Sequence, residues 1–311
     1  KKEIVELGIE KFVDACRAFS LDLLGKMNVA FQSLGVWLDW DHPYMTIKNE
    51  YIEGAWWTFR RASERGLLYE ALRSLQWCSR CETALADAEV EYADETDPSV
   101  YVKFPIEGRP GESLLIWTTT PWTLPANMAI AAHPDFTYAK VRISGRGKKK
   151  EHLWMLESAV PAVMALGGVK AHEVASRSKG SDLVGIAYRN PLSGKVPYQG
   201  KARGKWVHKV VPSDIVEAEH TGLVHSAPGH GPEDFELGQR LGIPTFSPVD
   251  EHGRFAAEAG AYAGMHVREA NPVILEDLRA LHALFAEETV THAYGHCWRC
   301  KTPILFRATV Q

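Results

Sequence analysis

Two cysteine pairs constrain this chain more than any other feature. Cys78-Ser79-Arg80-Cys81 and Cys297-Trp298-Arg299-Cys300 are both C-x-x-C, and Cys297 follows Cys81 by 216 positions. Four thiolates in two such pairs make a complete tetrahedral zinc site. One Zn²⁺ held by Cys78, Cys81, Cys297 and Cys300 pins the two ends of a long segment together. What lies between must then fold as a body of its own.

The 311 residues are enough for one large domain or two smaller ones. An apolar fraction of 45% fits a globular chain with a real core. No apolar run approaches a membrane span, so no membrane is expected. The start, Lys1-Lys2-Glu3-Ile4-Val5-Glu6, lacks the features of a signal peptide and reads like mid-helix, as in an excised fragment. Cysteines in C-x-x-C pairs suit a metal and a reducing compartment, hence the cytoplasm. Cys16 is left over and is expected to be buried on a helix. A net charge of −4 excludes a uniformly basic nucleic-acid coat, but not a local basic face. Arg142–Lys150 and Lys195–Lys209 are either such a face or solvated loops.

Residues 3–32 read as helix, with Phe12, Cys16, Phe19 and Leu23 at helical spacing. A second helix is expected from Ile47 to Arg65, stopped by Gly66. Beyond Asp94, short β-branched and aromatic runs alternate with Gly and Pro. Ser99–Phe104, Leu114–Thr119, Tyr138–Ile143, Trp206–Val211 and Gly222–Ser226 read as strands. Late helices are expected from Pro232 to Leu241 and from Asn271-Pro272 onward. Gly108–Gly111 and Gly145–Gly147 read as short turns. The fold class is α+β: a helical stem (1–76), half of a zinc knuckle (77–94), a β-rich, barrel-like body with peripheral helices (95–295), and a return through the knuckle into a strand (296–311).

Two runs carry candidate chemistry. In Trp117-Thr118-Thr119-Thr120-Pro121-Trp122-Thr123-Leu124-Pro125-Ala126-Asn127, four threonines crowd a strand end that proline terminates. Their hydroxyls either face a ligand with donors and acceptors or bond local backbone. In Thr221 to Asp234, His225 ends an apolar strand, a Gly/Pro loop follows, and Asp234 enters the first turn of a helix. Asp234 is either a helix-dipole residue or a fixed anion for an ammonium group. His225 is structural or functional, and His230 reads as a loop residue. No phosphate-binding loop and no nucleophile motif is present.

These strings together resemble the isoleucyl branch of the class I aminoacyl-tRNA synthetases. The resemblance rests on Gly35–Thr46, Trp77–Tyr92, Thr96–Pro105, Trp117–Asn127, Gly222–Gly238 and His296–Gln311. It covers nearly the whole chain, least diagnostically over 144–204. It implies the inserted editing domain of such an enzyme. The parent ligates isoleucine to its tRNA with ATP, but neither the HIGH-type nor the KMSKS-type motif of that reaction is present. The implied activity is hydrolysis of isoleucine tRNA mischarged with valine, and of valyl-adenylate, with valine released. The alternative is a zinc-containing tRNA-binding module without turnover.

By the same resemblance, Asp234 pairs with the substrate ammonium and His225 walls the amino-acid pocket. Thr118, Thr119, Thr120 and Thr123 hold the terminal adenosine, the ester and a water. Trp122 and Asn127 complete the site, with Asp234, His225, Thr119 and Thr120 closest to the chemistry. The zinc is structural. The implied partners are the 3′ end of the tRNA and the rest of the synthetase. His220 departs from the family, which often carries glycine there.

Overall fold

A computed structural model describes residues 2–144 and 150–311. The chain divides into two compact units, Lys1–Glu70 and Ala71–Gln311. In the first unit, helices span Lys2–Leu7, Ile9–Ser33 and Asn49–Glu64. The single helix expected over 3–32 is broken at Gly8, whose φ of 87° no helix admits. The third helix ends as its sequence requires. Gly66 takes φ 67°, its N–H donates to the Ser63 carbonyl, and the Leu67 N–H reaches back to that of Ala62. This paired closure satisfies carbonyls the helix leaves open. Cys16 is exposed, contrary to expectation, because the helix that carries it has no buried residue.

The second unit holds two sheets. The smaller joins β1 (Leu72–Cys78) to β2 (Thr83–Ala84) and β12 (Leu305–Val310). The ends of this unit meet beside it: the Ala71 N–H donates to the Gln311 carbonyl at 2.9 Å, and the Gln311 N–H donates to that of Ala71 at 2.8 Å. Among the described residues the larger sheet has nine strands, and it is mixed and curled. They are β3 (Val90–Pro105), β4 (Glu112–Thr118), β5 (Ala129–Ala132), β6 (Thr137–Ser144), β7 (Lys150–Leu156), β8 (His172–Lys179), β9 (Val210–Pro212), β10 (Leu223–Ser226) and β11 (Leu284–Cys297).

β4 organises this sheet. One of its edges is covered along its length by β3. The other is shared: β7 pairs with its start, and β10 pairs with its end through Val224 and Trp117. The sheet therefore divides where the threonine run leaves β4. Side chains alternate across β3 and β4 as the strand period demands. Val100, Val102, Leu114 and Ile116 enter the larger core, while Tyr101 and Leu115 enter a second core under the helix Val160–Leu166.

Two elements differ from the sequence expectation. Over Trp206–Val211 only the last residues are strand, because His208 sits at φ 52°, outside the β region. His208 is held there by a 2.6 Å hydrogen bond between Nε2 and Gln199 Oε1. The late helix begins at Val267, not at Asn271-Pro272. His266 caps it and Glu269 reaches back to the cap N–H, so Pro272 lies inside the helix. Burial of Val267 and Ala270 outweighs the hydrogen bond that proline forfeits. Gly145–Gly147 and most of the basic stretch Arg142–Lys150 lie outside the described residues. In the described part of that stretch Arg142 pairs with Glu173, and in the second basic stretch Lys195 pairs with Asp277 at 2.8 Å. Among the described residues, no helix is long and apolar enough to cross a membrane.

Candidate active site and cysteine cluster

The threonine run and the His–Asp run meet at a cleft of about 590 Å³. Thr118 closes β4, and Pro121 opens a short, wholly buried 3₁₀ segment, Pro121–Ala126. The four hydroxyls divide into two kinds. Thr118 Oγ1 accepts the Thr120 N–H at 3.0 Å, and Thr123 Oγ1 donates to the Thr120 carbonyl at 2.8 Å. These two brace the turn. The Thr119 and Thr120 hydroxyls make no hydrogen bond among the described residues, and both line the cleft.

His225 enters from β10. Its Nε2 lies 2.8 Å from Thr123 Oγ1 and its Nδ1 faces the Asn127 amide nitrogen at 3.5 Å. Asn127 Nδ2 is a donor, so Nδ1 is the acceptor and Nε2 carries the proton. The Thr123 hydroxyl already donates to backbone, so it accepts from Nε2. Burial, with His230 nearby, pushes His225 down to about 4 and keeps it neutral.

Asn127 does not reach the cleft. It is fully buried, donates to the Ala129 carbonyl at 2.8 Å and accepts the Tyr188 hydroxyl at 2.7 Å. Its place is behind His225, whose tautomer it sets.

Asp234 is the third residue of the helix Pro232–Leu241, and its Oδ2 accepts the Ala227 N–H at 3.0 Å. The side chain is half-buried and lines the cleft. Desolvation pushes its carboxyl up to about 6, against the pull of the Ala227 hydrogen bond. Gly229 lets the intervening loop close: a Cβ there would stand 2.2 Å from the Phe246 carbonyl oxygen. Among the described residues, no Lys or Arg lines the cleft. Its fixed charge suits a cation.

Trp122 also lines the cleft, with its ring edge-on to His230. His230, read from sequence as a loop residue, is a wall as well. Its Nδ1 is 2.9 Å from the Phe306 carbonyl, so Nδ1 donates. The glycine-flanked setting of His230 gave no signal of this. His220 holds φ 48° and stacks on Trp117, ring centroids 3.5 Å apart and 7° from parallel. His220 thus lines the cleft.

The four cysteines converge as their spacing requires. Their sulfurs lie within 4.8 Å of one another, with Cys78 Sγ and Cys300 Sγ 3.4 Å apart. A tetrahedral Zn²⁺ with 2.3 Å bonds needs sulfurs about 3.8 Å apart, so the cluster fits such an ion. The two halves share one geometry. Glu82 and Lys301, each following a second cysteine, take φ 53° and 57°. Each donates its N–H to the carbonyl of the first cysteine of its pair, Cys78 or Cys297.

The family model for class I tRNA synthetases (I, L, M and V) matches residues 1–309. The chain belongs to this family. Within the family, the chain is 52% identical over its whole length to an isoleucine–tRNA ligase of Methanothrix thermoacetophila, and 52% identical to that of Pyrococcus furiosus. The isoleucine–tRNA ligase of Archaeoglobus fulgidus is 51% identical. The chain spans about 29% of the length of the first of these relatives. Among solved structures, it is similar to the editing domains of the cytosolic leucyl-tRNA synthetases of P. knowlesi and P. falciparum, at 11% and 10% identity. Those matches cover 62% and 61% of this chain and 98% and 99% of theirs, each with a TM-score of 0.45. This class I synthetase segment carries the cleft and the cysteine cluster in one unit.

Proposed function

We propose that the cleft hydrolyses the ester of valine wrongly attached to isoleucine tRNA, and valyl-adenylate as a second substrate. The observation that carries this is that Asp234 and the hydroxyls of Thr119 and Thr120 line one cleft into which, among the described residues, no Lys or Arg side chain reaches.

The need for such a site follows from binding energetics. One methylene in an apolar pocket is worth only about 1–3 kcal/mol, and isoleucine against valine is the standing example of that limit. A second pocket that admits the smaller side chain supplies the remaining discrimination.

In this reading Asp234 pairs with the substrate ammonium, whose charge favours the ionised carboxylate. Thr119 and Thr120 hold the terminal ribose, the ester and the attacking water. Thr118 and Thr123 shape their turn, and Trp122 forms a wall. His225 stands where bulk excludes isoleucine, with Asn127 fixing its ring. The water adds to the ester carbonyl, the carbon–oxygen bond to the ribose breaks, and the ribose oxygen leaves with a proton. Valine and free tRNA are the products. Positioning of a water against an activated ester needs no covalent nucleophile.

The body 95–295 is assigned as the editing domain, and 77–94 with 296–311 as a zinc knuckle around Cys78, Cys81, Cys297 and Cys300. Four thiolates leave no open position, so the zinc is structural. The remaining partners are the 3′ end of isoleucine tRNA and the rest of a cytoplasmic synthetase.

The test is release of valine from valyl-tRNA(Ile) by this chain. Hydrolysis that falls by two orders of magnitude or more in Asp234→Ala is expected, roughly the loss of a substrate-orienting charge. Valyl-tRNA that binds but stays intact at high protein concentration would leave a tRNA-binding module without turnover.

A further inference from the structure

A second cavity, of about 40 Å³, adjoins the cleft. The two share Thr119, Thr120, Trp122, Tyr294 and Ile304 as walls. Its other polar walls are Arg268 and Asn271 on the helix Val267–Ala280, the cap His266, Ser79 and Thr302 beside the cysteines, and Asp97 of β3, whose Oδ2 lies 3.1 Å from His292 Nε2. One water needs roughly 10–15 Å³ of such space, so the chamber takes water and nothing as large as an amino acid.

Its chemistry is specific. Asn271 Oδ1 is buried and has no hydrogen-bond partner among the described residues. A buried amide oxygen calls for a donor, and ordered water is the usual one where protein supplies none. The nearby cation is committed elsewhere: Arg268 pairs with Glu95 at 3.2 Å and lies over the Tyr294 ring. The wall shared with the cleft carries the two threonine hydroxyls that no described residue engages.

We infer that this chamber is an ordered-water site between Asn271 and the threonine wall. The water donates one O–H to Asn271 Oδ1 and accepts from a hydroxyl of Thr119 or Thr120. That hydroxyl, which otherwise rotates freely, is thereby held in one direction, with its lone pairs turned to the cleft. Asn271 is a positioning residue that acts through water on the threonines. It also links the knuckle and the helix it lies on to the hydroxyls of the cleft.

Two measurements test this, and the kinetic one rests on the hydrolytic reading above. The first is a crystal structure of the chain at a resolution that orders solvent. A water within hydrogen-bond distance of both Asn271 Oδ1 and a threonine hydroxyl is expected, and a dry chamber would overturn the inference. The second is single-turnover hydrolysis of valyl-tRNA(Ile) by Asn271→Leu and Asn271→Asp. The leucine fills the chamber and removes the acceptor, so the single-turnover rate constant should fall about tenfold or more, with the half-saturating protein concentration little changed. Aspartate keeps an acceptor oxygen and should restore most of the rate. Equal loss in both variants, or loss in neither, would refute the positioning role. Thermal unfolding of both variants separates a folding defect from a kinetic one. If the wild-type chain releases no valine, the hydrolytic reading fails, while the water site is still decided by the crystal structure.

Discussion

The Nε2 of His225 meets the hydroxyl of Thr123 at 2.8 Å, across 102 positions of sequence. This contact joins the two runs that form the cleft. A proton on Nε2 donates to Thr123, which donates in turn to the Thr120 carbonyl. The chain of donors runs one way, from a neutral imidazole into backbone. His225 is therefore set up as a rigid wall and is poorly suited to act as a base at neutral pH.

Replacing that wall should change what the cleft accepts. His225→Ala should admit the larger side chain and hydrolyse correctly charged isoleucyl-tRNA, while valyl-tRNA remains a substrate. Comparing the two rates in wild type and variant measures this. Unchanged rejection of isoleucine would show that another side chain sets the size limit.

Asp234 should trade stability for function. Its folded value of about 6 lies above that of a free aspartate, so the folded state binds the proton more tightly between about pH 4 and 6. Stability from this group falls as pH rises through that window and stays low above it. Asp234→Asn should therefore be more stable than wild type at pH 7 to 8, by about 1–2 kcal/mol after discounting for screening at the open cleft. The gain should vanish below pH 4, and hydrolysis should be lost at every pH. Denaturant unfolding at several pH values reads the first part.

The two buried histidines of the cleft act in the opposite sense. His225 and His230 are each held down at about 4 by burial, whereas an unfolded histidine charges near pH 6.5. Their contribution is complete above 6.5 and is lost as pH falls toward 4, by about 2–3 kcal/mol each at most. His225→Gln or His230→Gln should flatten the fall of melting temperature on acidification. Parallel wild-type and variant curves would place the titrating groups elsewhere.

The cysteine cluster predicts a thiol count. Cys16 is exposed and the other four converge. With zinc bound, one thiol should react quickly with a colorimetric reagent, and all five after chelation. Chelation should also lower the melting temperature. Five fast thiols in metal-replete protein would argue against the site.

Gly229 should tolerate no side chain. The 2.2 Å approach to the Phe246 carbonyl leaves backbone, not a flexible tip, to give way. Gly229→Ala should cost about 2–4 kcal/mol and disorder the loop between His225 and Asp234. Urea unfolding checks it.

Much of the site was legible because its residues are contiguous. Thr118 to Thr123, and His225 to Asp234, each declare a strand end, a turn and the polar groups placed there. The cysteines declare their own meeting by chemistry. What stayed hidden depends on partners far away in sequence. The strand Leu284–Cys297 carries Glu287, Glu288 and two histidines, and only its thirteen-pair ladder with β3 makes it a strand. The family resemblance puts Asn127 in the site, yet it is buried behind His225. Asn271 looked like a helix cap because proline follows it. Its exposure to a chamber shared with the threonines depends on tertiary packing that no local pattern records.

The backbone exchange between Ala71 and Gln311 closes the second unit on itself. The two residues lie one strand spacing apart, roughly 5 Å. Strands β1 and β12 therefore form one ribbon, and neither can peel away without breaking the ladder that holds the other. A force that parts its two ends would unzip the ladder one pair at a time, whereas a force along the strands would load all of its hydrogen bonds together.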